Sequence, residues 1–335
     1  MALRVGINGF GRIGRLILRG LIENKRKDIE VVGINDLGSI ELNAHLLRYD
    51  SNHGVFPCEV RTSGDTIDVG TGPIKFMAER DPSNLAWKEL GTDIVFESTG
   101  LFVDRDSASK HIEAGASKVL LSAPGKNVDL TVVYGVNHEK LEACHKIVSN
   151  ASCTTNCLAP VADILNKNFG IEKGYMTTIH SYTSDQRPLD KNHPDPRRAR
   201  ACAVNMIPAT TGAAKALGQV LPELDGKLDG AAVRVPTPNV SLIDFTFVSK
   251  QRTSINEINE AVREAANGHL KGILNYVTAE LVSVDFNHNP ASSNFDATQT
   301  QVVDENFIRV LSWYDNEWGY SNRMPDTALT MQNAT

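Results

Sequence analysis

The chain has no apolar run approaching the roughly 18 residues of a membrane-spanning helix, although 41% of its 335 residues are hydrophobic. That composition fits a soluble chain with ample core, and the length fits two domains better than one. A signal-peptide apolar region is missing too: Met1-Ala-Leu-Arg-Val-Gly-Ile-Asn-Gly9 runs directly into what reads as a strand. No extended basic stretch occurs and the net charge is −6, so neither nucleic acid nor a membrane surface is an expected partner. Cysteine is sparse and odd in number: Cys58, Cys144, Cys153, Cys157 and Cys202. Irregular spacing without a secretory signal argues for reduced thiols and a cytoplasmic setting. Cys153 and Cys157 are spaced C-x3-C, but with no second pair and no His-x-x-x-His partner no metal site is expected.

What is present begins with glycine. Leu3-Arg-Val-Gly-Ile-Asn8 reads as a short strand, Gly9-Phe-Gly11-Arg-Ile-Gly14 follows, and Ile13, Leu16, Ile17 and Leu21 then recur at helical spacing. In this context Gly9 allows the tight turn, Gly11 lets a pyrophosphate approach the backbone, and Gly14 lets the helix pack on the strand. The helix amino terminus offers free N–H groups and a positive dipole end to the phosphates. A second strand, Glu30-Val-Val-Gly-Ile-Asn-Asp36, ends in an acid 22 residues after Gly14. Asp36 there can accept hydrogen bonds from the ribose hydroxyls of NAD and repel the extra phosphate of NADP. Further parallel-type strands are expected at 93–97, 118–121, 130–134 and 146–149. Several end in small or polar residues, such as Ser98-Thr-Gly100 and Ser122-Ala-Pro-Gly125, where ligands of open α/β sheets sit. Residues 104–116 read as a helix, and 48–90 as an insertion or β-hairpin before the fourth strand.

After Ser149 the pattern changes. Cys153 lies in Ser149-Asn-Ala-Ser-Cys-Thr-Thr-Asn-Cys157, and Leu158, Val161, Ala162 and Leu165 mark one face of a helix that starts there. Free N–H groups and the dipole at that start favour a thiolate. Ser152 and Thr154 suit a cap or a donor to an oxyanion or phosphate, Pro160 predicts a kink, and Cys157 reads as a packed structural thiol. Gly174-Tyr-Met-Thr-Thr-Ile-His-Ser-Tyr-Thr183 alternates as a strand does. His180 stands near its end, 27 residues after Cys153, ahead of a polar loop over 181–201. Loops of that length usually carry function. Thr210-Thr-Gly212 precedes a helix start and offers a second place for an anion, and Arg234 falls in the strand-like Val233-Arg-Val-Pro-Thr-Pro238. Strands at 240–248, 272–277 and 307–314, with helices near 255–267 and 319–332, predict an α+β domain with a mostly antiparallel sheet.

At this point the residues carry a family resemblance. Ala151-Ser-Cys-Thr-Thr-Asn-Cys-Leu-Ala-Pro160 resembles the signature of glyceraldehyde-3-phosphate dehydrogenase. So do Ile7-Asn-Gly-Phe-Gly-Arg-Ile-Gly-Arg15, His180-Ser-Tyr-Thr-Ser-Asp-Gln186, Arg197-Arg-Ala-Arg200, Pro208-Ala-Thr-Thr-Gly-Ala-Ala-Lys215, Arg234-Val-Pro-Thr-Pro-Asn239 and Trp313-Tyr-Asp-Asn-Glu-Trp-Gly-Tyr320. The blocks run through essentially the whole chain. The resemblance implies oxidative phosphorylation of D-glyceraldehyde 3-phosphate to 1,3-bisphosphoglycerate with NAD reduced. It implies Cys153 as nucleophile and His180 as base. Arg12 and Ile13 are expected at the cofactor pyrophosphate, Asp36 at the adenosine ribose, and Arg80, Ser122 and Asn316 elsewhere in the cofactor site. Ser152, Thr154, Thr211 and Gly212 are expected at the attacking phosphate, Thr183 and Arg234 at the substrate phosphate, and Arg198 close to both. A homotetramer is implied as well. The expected division is an α/β, Rossmann-type NAD-binding domain over 1–150, with helix 318–335 returning to it, and an α+β catalytic domain over 151–317.

The chemistry fits these residues. A Cys153 thiolate adds to an aldehyde, and His180 as base removes the hydroxyl proton so that hydride can leave. An imidazolium beside the thiol also favours the thiolate. The thioester formed conserves the oxidation energy for attack by phosphate, which is why two anion sites are needed. One departure concerns the cofactor: NAD-strict members of the family usually carry Leu-Pro where this chain has Lys191-Asn192. Lys191 could reach a 2′-phosphate, whereas Asp36 would repel it by about 4 kcal/mol at ~4 Å near a surface. NAD is expected to be preferred, with NADP a weaker alternative. Two rival readings are erythrose-4-phosphate dehydrogenase, which shares the Cys and His, and a catalytically idle NAD-binding interaction protein. Thr210–Lys215 and Arg234–Pro238 disfavour the first. The intact Cys153, His180 and anion-site residues disfavour the second.

Overall fold

The computed structural model describes residues 2–335. It divides into two compact units. The first comprises the chain up to Tyr134, together with His138–Ala151 and Ser321–Thr335. In order it contains β1 (Leu3–Asn8), α1 (Arg12–Glu23), β2 (Ile29–Asn35), α2 (Ile40–Arg48), the short hairpin β3 (Tyr49–Asp50) and β4 (Gly54–Val55), β5 (Arg61–Ser63), β6 (Thr66–Asp68) and β7 (Pro73–Met77). Then come β8 (Ile94–Glu97), α3 (Arg105–Glu113), β9 (Lys118–Leu121), β10 (Leu130–Thr131) and β11 (Ile147–Ser149). Nine of these strands form one sheet in the order β10-β11-β9-β8-β1-β2-β7-β6-β5. All pairs from β10 to β7 are parallel. Strand order reverses at β1, so the crevice beyond its carboxyl end is a switch point where such sheets bind ligands.

Strands covered on both faces read as continuous apolar runs. Val5, Ile7, Val95, Phe96, Val119 and Leu120 are all fully buried. Helix α1 adds Leu16, Ile17 and Leu21 at the spacing expected of its inner stripe. The stretch read as an insertion holds a strand of the main sheet, because β7 pairs parallel with β2. That strand is Pro-Ile-Lys-Phe-Met, buried only at Ile74 and Phe76. Its half-polar alternation hid it among fully apolar neighbours. Strand β10 ends at Thr131, short of the expected 134.

The second unit comprises Gly135–Asn137 and Ser152–Tyr320. It contains α4 (Cys153–Phe169), β12 (Ile171–Ser181), β13 (Ile207–Thr210), α5 (Ala213–Val220), β14 (Leu228–Val235), β15 (Ser241–Ser249), α6 (Ile255–Asn267), β16 (Leu274–Val277), β17 (Ser293–Val303) and β18 (Phe307–Tyr314). A final helix, α7 (Trp318–Asn333), belongs to the first unit from Ser321 onward. The second sheet has the order β13-β14-β12-β15-β18-β17-β16. Only β12/β14 and β16/β17 pair in parallel, so the sheet is mostly antiparallel. Helices α4, α5 and α6 pack against it. Strand β15 alternates perfectly, burying Ser241, Ile243, Phe245, Phe247 and Ser249 while its other positions are half-buried.

Two strands, β13 and β17, were not anticipated from the sequence. In β17 the buried residues include Ser293, Asn294 and Asp296, and its register against β18 slips between Asp296 and Gln301. Polar residues in the core and a bulge together erase the period-2 signal. Among the described residues no helix is long and apolar enough to cross a membrane.

Candidate functional site

Each unit carries one half of the candidate machinery. In the first, a cleft of about 330 Å³ opens at the carboxyl ends of β1 and β2 and is lined by Asn8, Gly9, Gly11, Asn35, Asp36 and Arg80 among others. The glycine turn fits a dinucleotide. A Cβ on Gly14 would lie 2.1 Å from the Gly9 carbonyl oxygen, so only glycine lets α1 approach the turn. Gly9 itself has φ +88°, and a Cβ there would strike the Thr99 backbone nitrogen at 2.7 Å. Gly11, the N-cap of α1, faces open space, which leaves room for a phosphate against the first-turn N–H groups.

Asp36 follows β2 and is held from both sides. Its carboxylate accepts from the backbone N–H groups of Phe10 and Gly38, each at 2.9 Å. Arg12, the first residue of α1, grips Asp50 with two nitrogens at 2.5 and 3.1 Å, which fixes the start of the helix to the short β3–β4 hairpin. Burial alone would raise the Asp50 carboxyl. The Arg12 guanidinium and the backbone N–H groups of Asn52 and His53 override it and hold the group at about 2. Ile13 is half-buried beside Arg12. Ser122 is joined to the sheet end through its backbone N–H, which donates to Glu97 O at 2.9 Å.

In the second unit Cys153 is the first residue of α4, capped by Ser152, whose hydroxyl accepts from Thr155 N at 3.1 Å. Helix α4 runs unbroken through Pro160 to Phe169. His180 sits near the end of β12, and its Nε2 lies 3.6 Å from the Cys153 sulfur. The Nδ1 edge lies 2.7 Å from the Ser181 carbonyl oxygen. Nδ1 also lies 2.7 Å from Arg234 Nη1, which can only donate, so that edge of the ring meets one acceptor and one donor while Nε2 faces the thiol. Arg234 is the register partner of His180 on β14. It donates to the same carbonyl at 3.0 Å and brings its charge against the ring.

Burial acts against either lone charge in this pair. It pushes the half-buried Cys153 thiol up, with Arg234 opposing. Burial and the Arg234 charge together push His180 down to about 3. The two groups, however, share one proton across 3.6 Å. Thiolate and imidazolium at that separation attract by about 4–5 kcal/mol at an effective dielectric near 20. The amino end of α4 adds to the thiolate side. The favoured charged form is therefore the pair, not either ion alone. Cys157, one turn on, is wholly enclosed, 3.4 Å from Ser293 Oγ, and its thiol is pushed up to about 12 by burial.

Tyr314 was not singled out from the sequence. Its hydroxyl bridges Thr154 Oγ1 at 2.9 Å and Thr178 Oγ1 at 2.8 Å, and its ring stands edge-on to His180 at 5.9 Å. It thus ties the first turn of α4 to β12 directly beside the reactive pair. Asn316 is buried, and its Oδ1 accepts from Ser181 at 2.9 Å and Ser241 at 2.8 Å. That leaves its amide N–H groups as the end able to meet a ligand. The expected anion residues fall in two places. Thr211 and Gly212 precede α5, with Thr211 Oγ1 accepting from Ala213 N at 3.2 Å. Arg198 reaches toward them, donating to Thr210 O at 3.4 Å while paired with Asp185 at 2.6 Å. Thr183 follows β12 in the loop and is held by Gln186, which donates its N–H to Thr183 O at 2.9 Å. The hydroxyl of Thr154 is already taken by Tyr314, so its backbone N–H in the first turn is what it can offer an anion.

A parallel sheet reversing at a glycine turn, together with an α+β unit bearing a paired thiol and imidazole, defines a dinucleotide-dependent enzyme that works through cysteine. The family models agree in detail: residues 3–105 match the glyceraldehyde 3-phosphate dehydrogenase NAD binding domain, and residues 152–316 match the C-terminal domain of the same family. The chain belongs to the glyceraldehyde-3-phosphate dehydrogenase family. It is 64% identical to the glyceraldehyde-3-phosphate dehydrogenase of Xanthobacter flavus over 331 residues, 99% of each chain. It is 57% identical to that of Cereibacter sphaeroides, over 99% of each chain, and 55% identical to that of Geobacillus stearothermophilus, over 98% of each. None of these findings supports the erythrose-4-phosphate or idle-protein readings.

Proposed function

We propose that this chain catalyses the NAD-dependent oxidative phosphorylation of D-glyceraldehyde 3-phosphate, and that Cys153 and His180 carry the chemistry. The observation that supports this most directly is the 3.6 Å approach of His180 Nε2 to a thiol at the start of α4. His180 takes the Cys153 proton, and the thiolate adds to the aldehyde carbon. The oxyanion formed there lies at the amino end of α4, where backbone N–H groups stabilise it. Once protonated, that oxygen gives its proton back to His180, and the collapsing alkoxide releases hydride from carbon as the thioester forms. NAD, when bound, supplies the hydride acceptor. Inorganic phosphate then attacks the thioester and releases the acyl phosphate, returning Cys153.

Gly9, Gly11, Arg12, Ile13, Gly14, Asp36, Arg80, Ser122 and Asn316 are proposed to hold the cofactor. Arg234 and Thr183 are proposed to take the substrate phosphate. Thr211, Gly212, Ser152 and Thr154, with Arg198 near, are proposed for the attacking phosphate. Asp36 favours NAD, and Lys191 leaves weaker NADP use open. The active species is proposed to be a homotetramer in the cytoplasm. In support, five free cysteines suit a reducing compartment, and the loop between β12 and β13 exposes Leu189, Val204 and Met206 at 76–77%. Initial rates with each cofactor, with phosphate present or omitted, test the reading. NAD should give the higher kcat/KM, with turnover dependent on phosphate or arsenate. Cys153→Ser should abolish oxidation while NAD still binds. Turnover independent of phosphate would overturn the assignment.

A further inference from the structure

A buried polar chain crosses the carboxyl ends of three adjacent strands in the first unit, and the proposed chemistry does not use it. Its centre is Glu97, the last residue of β8, whose side chain is 1% exposed. Four donors converge on this one carboxylate. Asn8 Nδ2 and His111 Nε2 approach Oε2 at 2.5 and 2.9 Å. The Thr99 N–H approaches Oε1 at 2.8 Å, and the Thr99 hydroxyl donates to the same oxygen. His111 is fully buried, and its other nitrogen lies 3.0 Å from Trp87 Nε1. An indole N–H can only donate, so His111 Nδ1 accepts and the ring proton sits on Nε2, aimed at Glu97. On the far side Asn8 Oδ1 accepts from Asn35 Nδ2 at 2.7 Å, and Asn35 exchanges two hydrogen bonds with the Glu79 backbone.

The outer members of this chain line the cofactor cleft. Asn8, Asn35, Glu79 and Thr99 all face it, as does Phe102, whose ring stands edge-on to His111 at 6.3 Å. Thr99 also backs the glycine turn, since Gly9 has no room for even a Cβ against its nitrogen. A shift of Thr99 therefore moves the turn that must receive the pyrophosphate.

We infer that Glu97 is a positioning residue for the cofactor: its carboxylate, oriented by His111 and Trp87, gathers Asn8 and Thr99 and so sets the shape of the dinucleotide cleft. Resting on the cofactor reading above, the inference adds a buried acceptor behind Asn8 and Thr99, which line the cleft, and makes it govern affinity for the cofactor. A carboxylate is required because it alone offers two acceptor oxygens to four donors. Glutamine has one oxygen, and its NH2 would face two donors with no lone pair to accept from them.

The test compares Glu97→Gln, His111→Gln and Trp87→Phe in the full chain. NAD binding is measured by calorimetry, and KM and kcat are measured for each substrate. Glu97→Gln should weaken NAD binding and raise KM for NAD about tenfold or more. It should leave kcat at saturating NAD, and KM for the aldehyde, within about twofold. His111→Gln keeps a donor toward Glu97 and should do less. Trp87→Phe frees only the far nitrogen of His111 and should do least. If Glu97→Gln does not fold, His111→Gln carries the same comparison. Unchanged NAD affinity in folded variants would overturn the inference. So would kcat and both KM values worsening together with melting temperature, the mark of general destabilisation. If the unsubstituted chain itself binds no NAD, it is the cofactor reading that fails.

Discussion

At Cys153 and His180 one proton serves two groups, and separating them should be visible in a pH profile. Burial raises the thiol and the Arg234 charge opposes it, while the imidazole 3.6 Å away is the group placed to take the thiol proton. In His180→Asn the burial effect stands with less opposition. The alkylation midpoint of Cys153 should move to higher pH, and the chemical step should slow by about 10²–10⁴. Iodoacetamide kinetics across pH measure the first effect. An unchanged profile would remove His180 from thiolate activation. A second residue-scale prediction concerns Asp50. Its carboxyl is held at about 2 against an ordinary value near 3.9, which corresponds to about 2–3 kcal/mol of stability. Because the folded value is depressed, that contribution is complete above about pH 4 and is lost as pH falls through about 2. Asp50→Asn should therefore destabilise by this order at pH 7 and by much less near pH 2, as read by urea denaturation at both. The places of Cys153 at a helix start, His180 near a strand end and Asp36 just after a strand follow from local sequence patterns. The roles of Tyr314 and Glu97 do not, because each acts through partners far along the chain, Thr154 and His111 among them.

Helix α4 shows what an element contributes beyond its residues. Ser152 caps it through Thr155 N, and the same cap presents the Cys153 end of the helix to the site. Ser152→Ala should cost about 1 kcal/mol in stability and slow alkylation of Cys153 as the first turn frays. Denaturant unfolding and thiol kinetics on one sample check both; a stability loss with unchanged thiol reactivity would separate cap from site. Elements with strong apolar period, such as β1, β15 and α1, were readable from their residues alone. Strand β7 lies hidden within an apparent insertion, and β17 carries no strand signal, for one physical reason. Their buried positions are few or polar, and what buries them is a neighbour, β2 for one and β18 for the other. Pro160 lies inside α4, which continues past it to Phe169.

For the molecule as a whole the proposed tetramer predicts a mass in solution four times that of the chain. The exposed Val204 and Met206 are the side chains to test. Val204→Asp with Met206→Asp should shift the species seen by light scattering toward smaller assemblies. A tetramer persisting in the double variant would show that this loop is not part of the contact. What the sequence determined by itself was local in kind: a glycine turn between a strand and a helix, an acid closing the next strand, and a cysteine opening a helix. Each of these follows from backbone sterics and hydrogen bonding within a few residues. What only the tertiary structure decided was which distant groups meet. It set the 3.6 Å between Cys153 and His180, the pairing of His180 with Arg234 across β12 and β14, and the four donors on Glu97. Strand pairing and burial bring those groups together, and neither is encoded in any short stretch of the chain.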